Sequence, residues 1–445
     1  MDAVKFWLLA GQQALGRAAN HEAIIHIKRG LELVSELPAE DREPQELEFL
    51  VALIPALIAA QGWASGELEG VYRRAAELLQ LLPSSPHRFT ILTGTHAYHF
   101  VSGRVTQSLP LANEVFELAK MVGDPLLLTI AQQCCSATRW ARGDFRLGVD
   151  HAEAALAMLD VERERLIARM LSLSSCAGLL FYEASSLWML GFPEQGLAAS
   201  ERCVSLAREI GHPPTTAFSL ACRSSQAMLQ GDAEGLFKFC DEALEIVHAE
   251  RLGFYEPTLI TYRGWATSEL GKPEEVSAKV REATERYRQA GNGILVVMHY
   301  SILAGVQWKA GEWENAFKTL DIAMNLARTF GEGLFEPELY RQRGAFLFAQ
   351  ALGAGDPAKA APDTDLAARL AEAESSIRES LCLARAQEAK MLELRSLVTL
   401  CRVREKLGPV SQERDELAAV YGTFTEGFDT PDLRAARAVL QTLAV

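Results

Sequence analysis

The apolar and polar positions of the chain follow a helical period almost from end to end. Apolar residues recur at i, i+3, i+4 and i+7, which places them on one face of an α-helix. The strict alternation of apolar and polar residues that indicates strands is almost absent. Gly, Pro and Asp interrupt the pattern after stretches of about 15–20 residues, as expected where one helix ends and the next begins. The pattern therefore predicts an all-α protein.

The interrupting glycines are regularly spaced. The interval from Gly103 to Gly143 recurs three times later in the chain, between the glycines Gly191, Gly231, Gly271 and Gly311. Residues 160–175 are interpreted as an insertion between these two runs. From Gly143 onward, a small or medium residue lies seven positions before each glycine, and these residues are Ser136, Ala184, Ser224, Gly264 and Ala304. Two antiparallel helices approach closely only at small side chains, so the spacing predicts tetratricopeptide-repeat (TPR) helix pairs.

The predicted architecture is an α-solenoid, a right-handed superhelix of TPR-like helix pairs with a period of about 40 residues. It is expected to be continuous over residues 1–445, because each helix pair buries its apolar face only against its neighbours. Residues 1–90 are assigned to irregular N-terminal repeats and residues 91–352 to the regular repeats. Residues 353–366 are predicted to form a mobile loop, and residues 367–445 the last repeats with a capping helix.

The stretch VYGTFTEGFDTPDL near the end of the chain departs from this Leu- and Ala-rich pattern. Tyr421 is expected to end a helix, and Gly427 to take the positive φ of a turn. Thr430 suits the N-cap of a last helix that runs from Pro431 to Leu443. The aromatic residues expected to cover the last face of the solenoid are Phe424 and Phe428. The alternative is that the stretch is itself a binding site.

Composition and charge exclude several classes of protein. Apolar residues make up 49% of the 445, and the formal charge is −14, which repels nucleic acid and anionic lipid. No apolar run reaches the roughly 18 residues that a membrane-spanning helix needs. None of the eight cysteines is part of a CxxC motif, which favours buried, reduced thiols and a cytoplasmic location. We therefore expect neither a nucleic-acid nor a membrane partner.

Candidate catalytic and metal-binding residues are few. The chain contains no recognisable Walker A loop, HExxH motif or Ser-His-Asp arrangement. His96 and His99 could share a metal ion on one helix, but no third ligand stands beside them in sequence. Cys134 and Cys135 are adjacent and point in different directions on a helix. We accordingly predict no metal, no cofactor and no enzymatic activity.

The concave groove of a TPR solenoid is lined by the first helix of each pair, and polar residues on those helices are the candidate binding residues. The candidates are Arg139, Glu183, Arg223, Arg263, Tyr300, Arg341 and Arg343. Several arginines along one face could hold a peptide that carries carboxylates. The alternative is an ordinary solvated charged surface. A recurring Trp three residues before the turn glycines is interpreted as packing between repeats.

Three stretches resemble a known bacterial family. They are FWLLAGQQALGRAANHEAI with RGLEL in residues 6–33, GWASGELEGVYRRA in residues 62–75, and YGTFTEGFDTPDL in residues 421–433. They resemble the TPR tail of multidomain proteins that join a class III adenylate/guanylate cyclase domain, an AAA-type ATPase domain and a TPR region. No cyclase or ATPase motif is present in this chain, so the resemblance implies the tail without the catalytic activity.

The expected function is that of a non-catalytic interaction and regulatory module. The resemblance implies the sensory or docking tail of a bacterial cyclase/ATPase signalling protein, with a protein or peptide partner or its own ATPase and cyclase domains as partner. The alternative is a TPR domain that senses a small molecule inside the superhelix. The sequence leaves the oligomeric state open.

Overall fold

The computed structural model describes residues 2–17, 19–353 and 363–443, and within them it contains twenty-two helices and no strand. The first eleven are α1 (Asp2–Gly16), α2 (Asn20–Val34), α3 (Ala39–Gln61), α4 (Gly66–Leu81), α5 (Arg88–Val101), α6 (Val105–Val122), α7 (Pro125–Arg142), α8 (Phe145–Leu156), α9 (Val161–Leu171), α10 (Ser175–Met189) and α11 (Pro193–Ile210). The other eleven are α12 (Pro213–Leu229), α13 (Ala233–Ala249), α14 (Glu256–Glu269), α15 (Ser277–Gln289), α16 (Val296–Lys309), α17 (Trp313–Phe330), α18 (Glu336–Ala351), α19 (Asp363–Ala386), α20 (Lys390–Leu407), α21 (Ser411–Tyr421) and α22 (Pro431–Thr442).

The helices fall into two compact units. Unit 1 comprises Met1–Cys134 and Arg288–Ile294, and unit 2 comprises Cys135–Tyr287 and Leu295–Val445. In each unit, successive helices pack as antiparallel pairs, as expected for TPR-like repeats. The predicted all-α, α-solenoid fold class is confirmed, whereas the handedness of the superhelix and the assignment of residues 1–445 to a single solenoid stay predictions.

The predicted turn glycines adopt the conformation that only glycine reaches easily. The six from Gly103 to Gly311 have φ between 73° and 95°. Each ends the first helix of a pair, so that the second helix can turn back against it. The small residues are equally constrained, because a Cβ at Gly264 would overlap the side chain of Val280 on the paired helix. The regular spacing of the turn glycines and small residues therefore follows from the contacts between the two helices of each pair.

Two parts of the chain differ from the regular repeats. The inserted residues 160–175 contain the short helix α9, whose N-terminus is capped by Asp160 through the Arg163 amide at 2.9 Å. Glu164 of α9 is fully buried and accepts hydrogen bonds from the Ser174 hydroxyl at 2.5 Å and the Cys176 amide at 2.9 Å. Of the predicted mobile loop 353–366, residues 354–362 lie outside the described residues, and α19 already begins at Asp363.

Glycine loops join non-neighbouring repeats inside each unit. In unit 2, the amides of Gly333 and Leu334 donate to the carbonyl of Ala141 at 3.0 and 3.2 Å. In unit 1, the amides of Gly293 and Ile294 donate to the carbonyl of Val101 at 2.8 and 3.1 Å. The two glycine loops lie one repeat period apart in the sequence, and so do the two carbonyl groups that they contact. A Cβ on either glycine would overlap a carbonyl oxygen of the opposite turn, so the backbones can meet only at glycine.

The first helices of the pairs line the inside of unit 2. Helices α10, α12, α14, α16, α18 and α20 each contact the next, and α20 in turn contacts α10. Each residue of α10 is buried, which a helix achieves only when it is covered on all sides. These six inner helices therefore form a closed circuit of contacts.

Candidate functional site

Two of the predicted groove arginines form an outer column that ties each inner helix to the preceding second helix. Arg263 of α14 pairs with Asp241 of α13, and Arg343 of α18 pairs with Asp321 of α17, the latter at 2.7 Å between Nη1 and Oδ1. Both acids lie 22 residues before their arginine. The guanidinium groups also lie over phenylalanine rings of the same preceding helices, at 5.5 and 5.9 Å from the ring centroids. This geometry describes a contact between repeats.

Arg223 and Glu183 occupy the same register as Arg263, one and two repeats earlier, but they are buried. Arg223 is 9% exposed, and its guanidinium lies 4.5 Å from the ring centroid of Phe239. Burial lowers the pKa of Arg223, and this effect is opposed by attraction to Glu201, which has the same sequence offset as the acids of the outer column. Glu183 is 8% exposed, and burial raises its pKa. Neither side chain presents a charge to an open surface.

Arg139 and Tyr300 make local contacts. The Nη1 of Arg139 donates to Oδ2 of Asp144 at 3.1 Å across the turn between α7 and α8. Tyr300 is 3% exposed, and its hydroxyl donates to Oε1 of Glu285 at 2.6 Å. The structure thus distributes the predicted residues over several environments, and it places one of them, Arg341, in a cluster on the inner helices.

Arg341 of α18 is held by a carboxylate one turn before it. Its Nε and Nη2 donate to the two oxygens of Glu338 at 2.8 and 2.6 Å, and its Nη1 lies 3.5 Å from the hydroxyl of Thr399 on α20. Burial is the largest effect on the pKa of Arg341 and works to lower it, but attraction and hydrogen bonding to Glu338 raise it overall. The guanidinium therefore stays charged inside unit 2.

A second buried arginine, Arg395 of α20, lies close enough to Arg341 for the two charges to repel. Its Nε and Nη2 donate to the two oxygens of Asp432 on α22 at 2.8 and 2.9 Å. Nη2 also donates to the carbonyl of Leu229, the last residue of α12, at 3.2 Å. The guanidinium lies 4.7 Å from the centroid of the buried Trp188 ring. We call Glu338, Arg341, Arg395 and Asp432 the inner arginine cluster.

The inner arginine cluster is enclosed and yet accessible. Its two positive and two negative charges balance, as buried charges require. The side chains of both arginines are 23% exposed, against 10% for Glu338 and 17% for Asp432. A paired guanidinium that keeps part of its surface free can accept a further carboxylate in the planar, two-bond geometry typical of arginine. The cluster is chemically suited to an acidic ligand.

Sequence reasoning misses three members of this cluster. Arg395 lies in a repeat after the regular series, and Asp432 is recognisable from the sequence only as a favourable charge at the start of α22. The available signal is the pair Glu338 and Arg341, since opposite charges three residues apart on a helix can form an ion pair. No local pattern connects Arg395 with an aspartate 37 residues later.

The unusual C-terminal stretch is confirmed as a turn and a last helix, but it has unexpected neighbours. Tyr421 ends α21, Gly427 has φ 73°, and the Thr430 hydroxyl accepts from the Leu433 amide at 3.5 Å. Phe424 is 6% exposed and lies against the turn at Gly191, in a distant part of the sequence. Phe428, predicted to cover the last face, is 40% exposed and lies beside Tyr421. We call Phe424–Asp432 the terminal segment.

Glu426 of the terminal segment caps the N-terminus of α11. Its Oε1 accepts from the amides of Glu194 and Gln195 at 2.8 and 3.1 Å, and its Oε2 accepts from Nε2 of Gln195 at 3.1 Å. The Gly427 amide in return donates to Oε1 of Glu194 at 2.8 Å. The N-cap residue of α11, Phe192, has no oxygen in its side chain, so a distant carboxylate satisfies the first amides of the helix.

Other classes of site find little support in the described ranges. Within them, no group of three or more His, Cys, Asp or Glu side chains is arranged to hold a metal ion. His96 is 4% exposed, and burial lowers its pKa to about 3. No single described helix has the length and hydropathy to cross a membrane. Helices α9 and α10 meet both criteria only when they are taken together, and the chain bends by 95° between them.

Comparisons with known proteins place this fold among TPR-like helical repeats. No protein-family model matches the chain. An uncharacterized protein of Rhizobium meliloti (strain 1021) is 24% identical over 366 residues, which cover 79% of this chain and 34% of that protein. The chain thus spans about a third of the length of this relative.

Two solved structures are similar to this chain in fold. One is the Rap conjugation gene regulator of the plasmid pLS20 in complex with a Phr peptide, with TM-score 0.50 and 12% identity over 89% of this chain and 96% of that one. The other is a Rap protein complexed with Competence and Sporulation Factor, with TM-score 0.49 and 13% identity over 83% and 99%.

Proposed function

We propose that this chain is a non-catalytic regulatory module that binds an acidic segment of a protein or peptide on the inner helices of unit 2. The observation that carries the proposal is the inner arginine cluster. Arg341 and Arg395 are enclosed by protein, remain charged, and each already holds a carboxylate through two hydrogen bonds. Enclosed guanidinium groups bind carboxylates more tightly than solvated ones, because less water competes for the same hydrogen bonds.

Among the other predicted groove residues, we keep Arg343 in the proposal as a supporting position. Arg343 lies between two open depressions of about 420 and 470 Å³ along α17 and α18. One of them has Trp313, Phe317 and Leu347 in its lining. A peptide that lies along α17 and α18 would meet aromatic surface and a guanidinium there, and that combination suits an acidic peptide with apolar side chains.

We propose further that the module is the sensory or docking tail of a larger signalling protein, a bacterial cyclase/ATPase being the expected context. The region that matches this chain makes up 34% of the Rhizobium meliloti relative, which supports a module within a longer protein. The fold likeness to a Rap regulator in complex with a peptide supports a peptide-binding role for such a tail. The partner would then be a protein segment or the protein's own catalytic domains.

Fluorescent peptides test the proposal directly. A set of short acidic peptides and a matched set with Gln and Asn in place of Glu and Asp are titrated into the purified chain. We expect acidic peptides to bind and Arg341→Gln to weaken them about tenfold or more. Arg263→Gln, which removes an outer arginine, serves as the matched control. Equal binding by both variants, or turnover of ATP or GTP by the purified chain, would contradict the proposal.

A small-molecule sensor is the second candidate. It is favoured by the closed circuit of the six inner helices, because an enclosed interior suits a small ligand better than a peptide. Small dicarboxylates and inorganic phosphate are the matching probes for two enclosed arginines. If these raise the melting temperature of the chain at millimolar concentration, and acidic peptides do not bind, the second candidate replaces the first.

A further inference from the structure

We infer that the terminal segment Phe424–Asp432 is a displaceable internal ligand, and that the surface beneath it is a binding site for an acidic segment of a partner protein. This inference rests on the proposed function, because it identifies the ligand chemistry of that function and the group that competes with it. The sequence FTEGFDTPD carries three acids and no base. Its own contacts show which features an external segment would need.

The first subsite is the N-terminus of α11, which binds Glu426. The amides of Glu194 and Gln195 are among the first amides of the helix, and they have no partner within α11. The helix dipole favours a negative charge at this end. The carboxylate of Glu426 is already bound there, which shows directly that this helix end accepts an acid from a distant part of the chain.

The second subsite is Arg395, which binds Asp432. The carboxylate receives two hydrogen bonds from the guanidinium, whose face is covered by Trp188 and whose Nη2 also donates to the carbonyl of Leu229. The guanidinium is therefore fixed in position before any ligand arrives. Glu426 and Asp432 stand six positions apart in the chain, so the surface recognises two carboxylates at a defined spacing.

Contacts with two glycine turns position the rest of the segment between these two subsites. Phe424 lies over the turn at Gly191, where a Cβ would come within 3.1 Å of the ring. Pro431 lies over the turn at Gly231, where a Cβ would come within 3.0 Å of its Cγ. Both turns need glycine for their own φ, and the absence of a side chain leaves room for the ring and the proline.

The terminal segment has the features of a bound ligand and lacks those of a core element. Polar, directional contacts hold Glu426 and Asp432, and Phe424 is the one buried apolar side chain of the segment, whereas α10 is buried along its whole length. In α22, whose first two residues belong to the segment, Leu433 and Ala436 are the buried residues. A region with so little buried apolar surface opens at a lower free energy than the core, so a competing segment can replace it.

The test uses a fluorescent peptide that spans residues 420–434 and three forms of the full chain. In the loosened form, Glu426→Gln and Asp432→Asn weaken the internal segment; the third form adds Arg395→Leu to these changes. We expect the peptide to bind the loosened chain about tenfold or more tightly than the wild type, because the internal competitor is weakened. Arg395→Leu should abolish this gain, and a peptide with the same two substitutions should not show it.

Hydrogen exchange keeps the test decisive if the variants alter folding. In the loosened chain, the amides of Glu194 and Gln195 should exchange faster than in the wild type, and the added peptide should slow them again. The amides of α20 should stay protected throughout. If α20 exchanges together with the terminal segment, the segment belongs to the core and the inference is wrong. Equal peptide affinity for the loosened and wild-type chains would also overturn it.

The outcomes separate this inference from the proposed function. Suppose that unrelated acidic peptides bind through Arg341 while the 420–434 peptide does not bind the loosened chain. The inner helices would then still be a binding surface, and the internal-ligand inference alone would be wrong. Suppose instead that the 420–434 peptide binds and no other acidic peptide does. The surface would then serve only to hold the terminal segment, and the proposed partner binding would be wrong.

Discussion

The outer and inner arginines of unit 2 are the same residue type on inner helices, but they are paired in different ways. The outer arginines, Arg263 and Arg343, find their acids at a constant 22 residues on the neighbouring helix, and the acid side chains are 51% and 63% exposed. The inner arginines pair with Glu338, three residues away, and with Asp432, thirty-seven residues away. The side chains of these two acids are 10% and 17% exposed.

The difference shows which charges maintain the repeats and which can bind a ligand. An exposed ion pair contributes little, because water solvates both charges almost as well when the pair is broken. An enclosed pair leaves a charge without solvent when one partner is removed, so the other partner stays available for a substitute carboxylate. The constant spacing marks contacts between repeats, and the irregular spacing marks the candidate binding site.

A buried acid without any arginine gives the largest expected effect. Glu332 is 1% exposed, and burial raises its pKa to about 8, against the smaller opposing effect of the Leu295 backbone. Its folded pKa lies above the unfolded value of 4.5, so stability is present below pH 4.5 and is lost as the pH rises towards 8. The loss is on the order of 4 kcal/mol.

Denaturation of the wild type and Glu332→Gln between pH 5 and 9 checks this prediction. The variant should lose the pH dependence in this window and should be the more stable of the two at pH 8. A wild type whose denaturation midpoint is flat from pH 5 to 8 would show that the carboxyl is solvated in the folded chain.

The second largest effect is expected for Glu338→Gln in the inner arginine cluster. Removing this carboxylate leaves the Arg341 guanidinium enclosed without its partner, at a cost of about 3 kcal/mol. The measurement is the shift of the urea midpoint of unfolding. The matched control is Asp321→Asn, which removes the acid of an outer pair and should cost less than about 1 kcal/mol. Similar shifts for both variants would remove the distinction between inner and outer arginines.

A smaller and local effect is expected for Asp432→Asn. The neutral amide keeps the shape but gives up the charge-assisted bonds to Arg395, which should raise the opening of α22 by about tenfold. Hydrogen exchange of the amides in residues 431–442 measures this opening. Asp429→Asn is the control, because Asp429 is an exposed acid of the same segment. If both substitutions speed exchange equally, Arg395 does not hold the segment.

The smallest effect is expected for the outer pair of Arg263 and Asp241. A double-mutant cycle with Arg263→Gln and Asp241→Asn should give a coupling of about 0.5 kcal/mol, which should fall further in 1 M salt. A coupling above about 2 kcal/mol would mean that the outer column stabilises the solenoid as much as the inner arginine cluster does.

Much of the fold was predictable because it depends on short-range regularities. The turn glycines, the small residues that face Val280 and similar partners, and the Thr430 cap each act within one helix pair or one turn. The inserted helix α9 was less predictable, since its stability depends on Glu164 reaching the start of α10. Of the four residues of the inner arginine cluster, the sequence predicted one, because periodicity identifies helices but cannot tell a buried arginine from an exposed one.

The sequence by itself determined the helices, their pairing and the regular repeat, because helical period, glycine turns and small contact residues act over a few residues each. Only the tertiary structure decided that Arg395 meets Asp432 and that Glu426 caps α11. Those contacts form when the inner helices close a circuit and bring together positions that are far apart in the chain. Whether two such positions come into contact depends on the packing of many successive repeats, and no local pattern of residues predicts it.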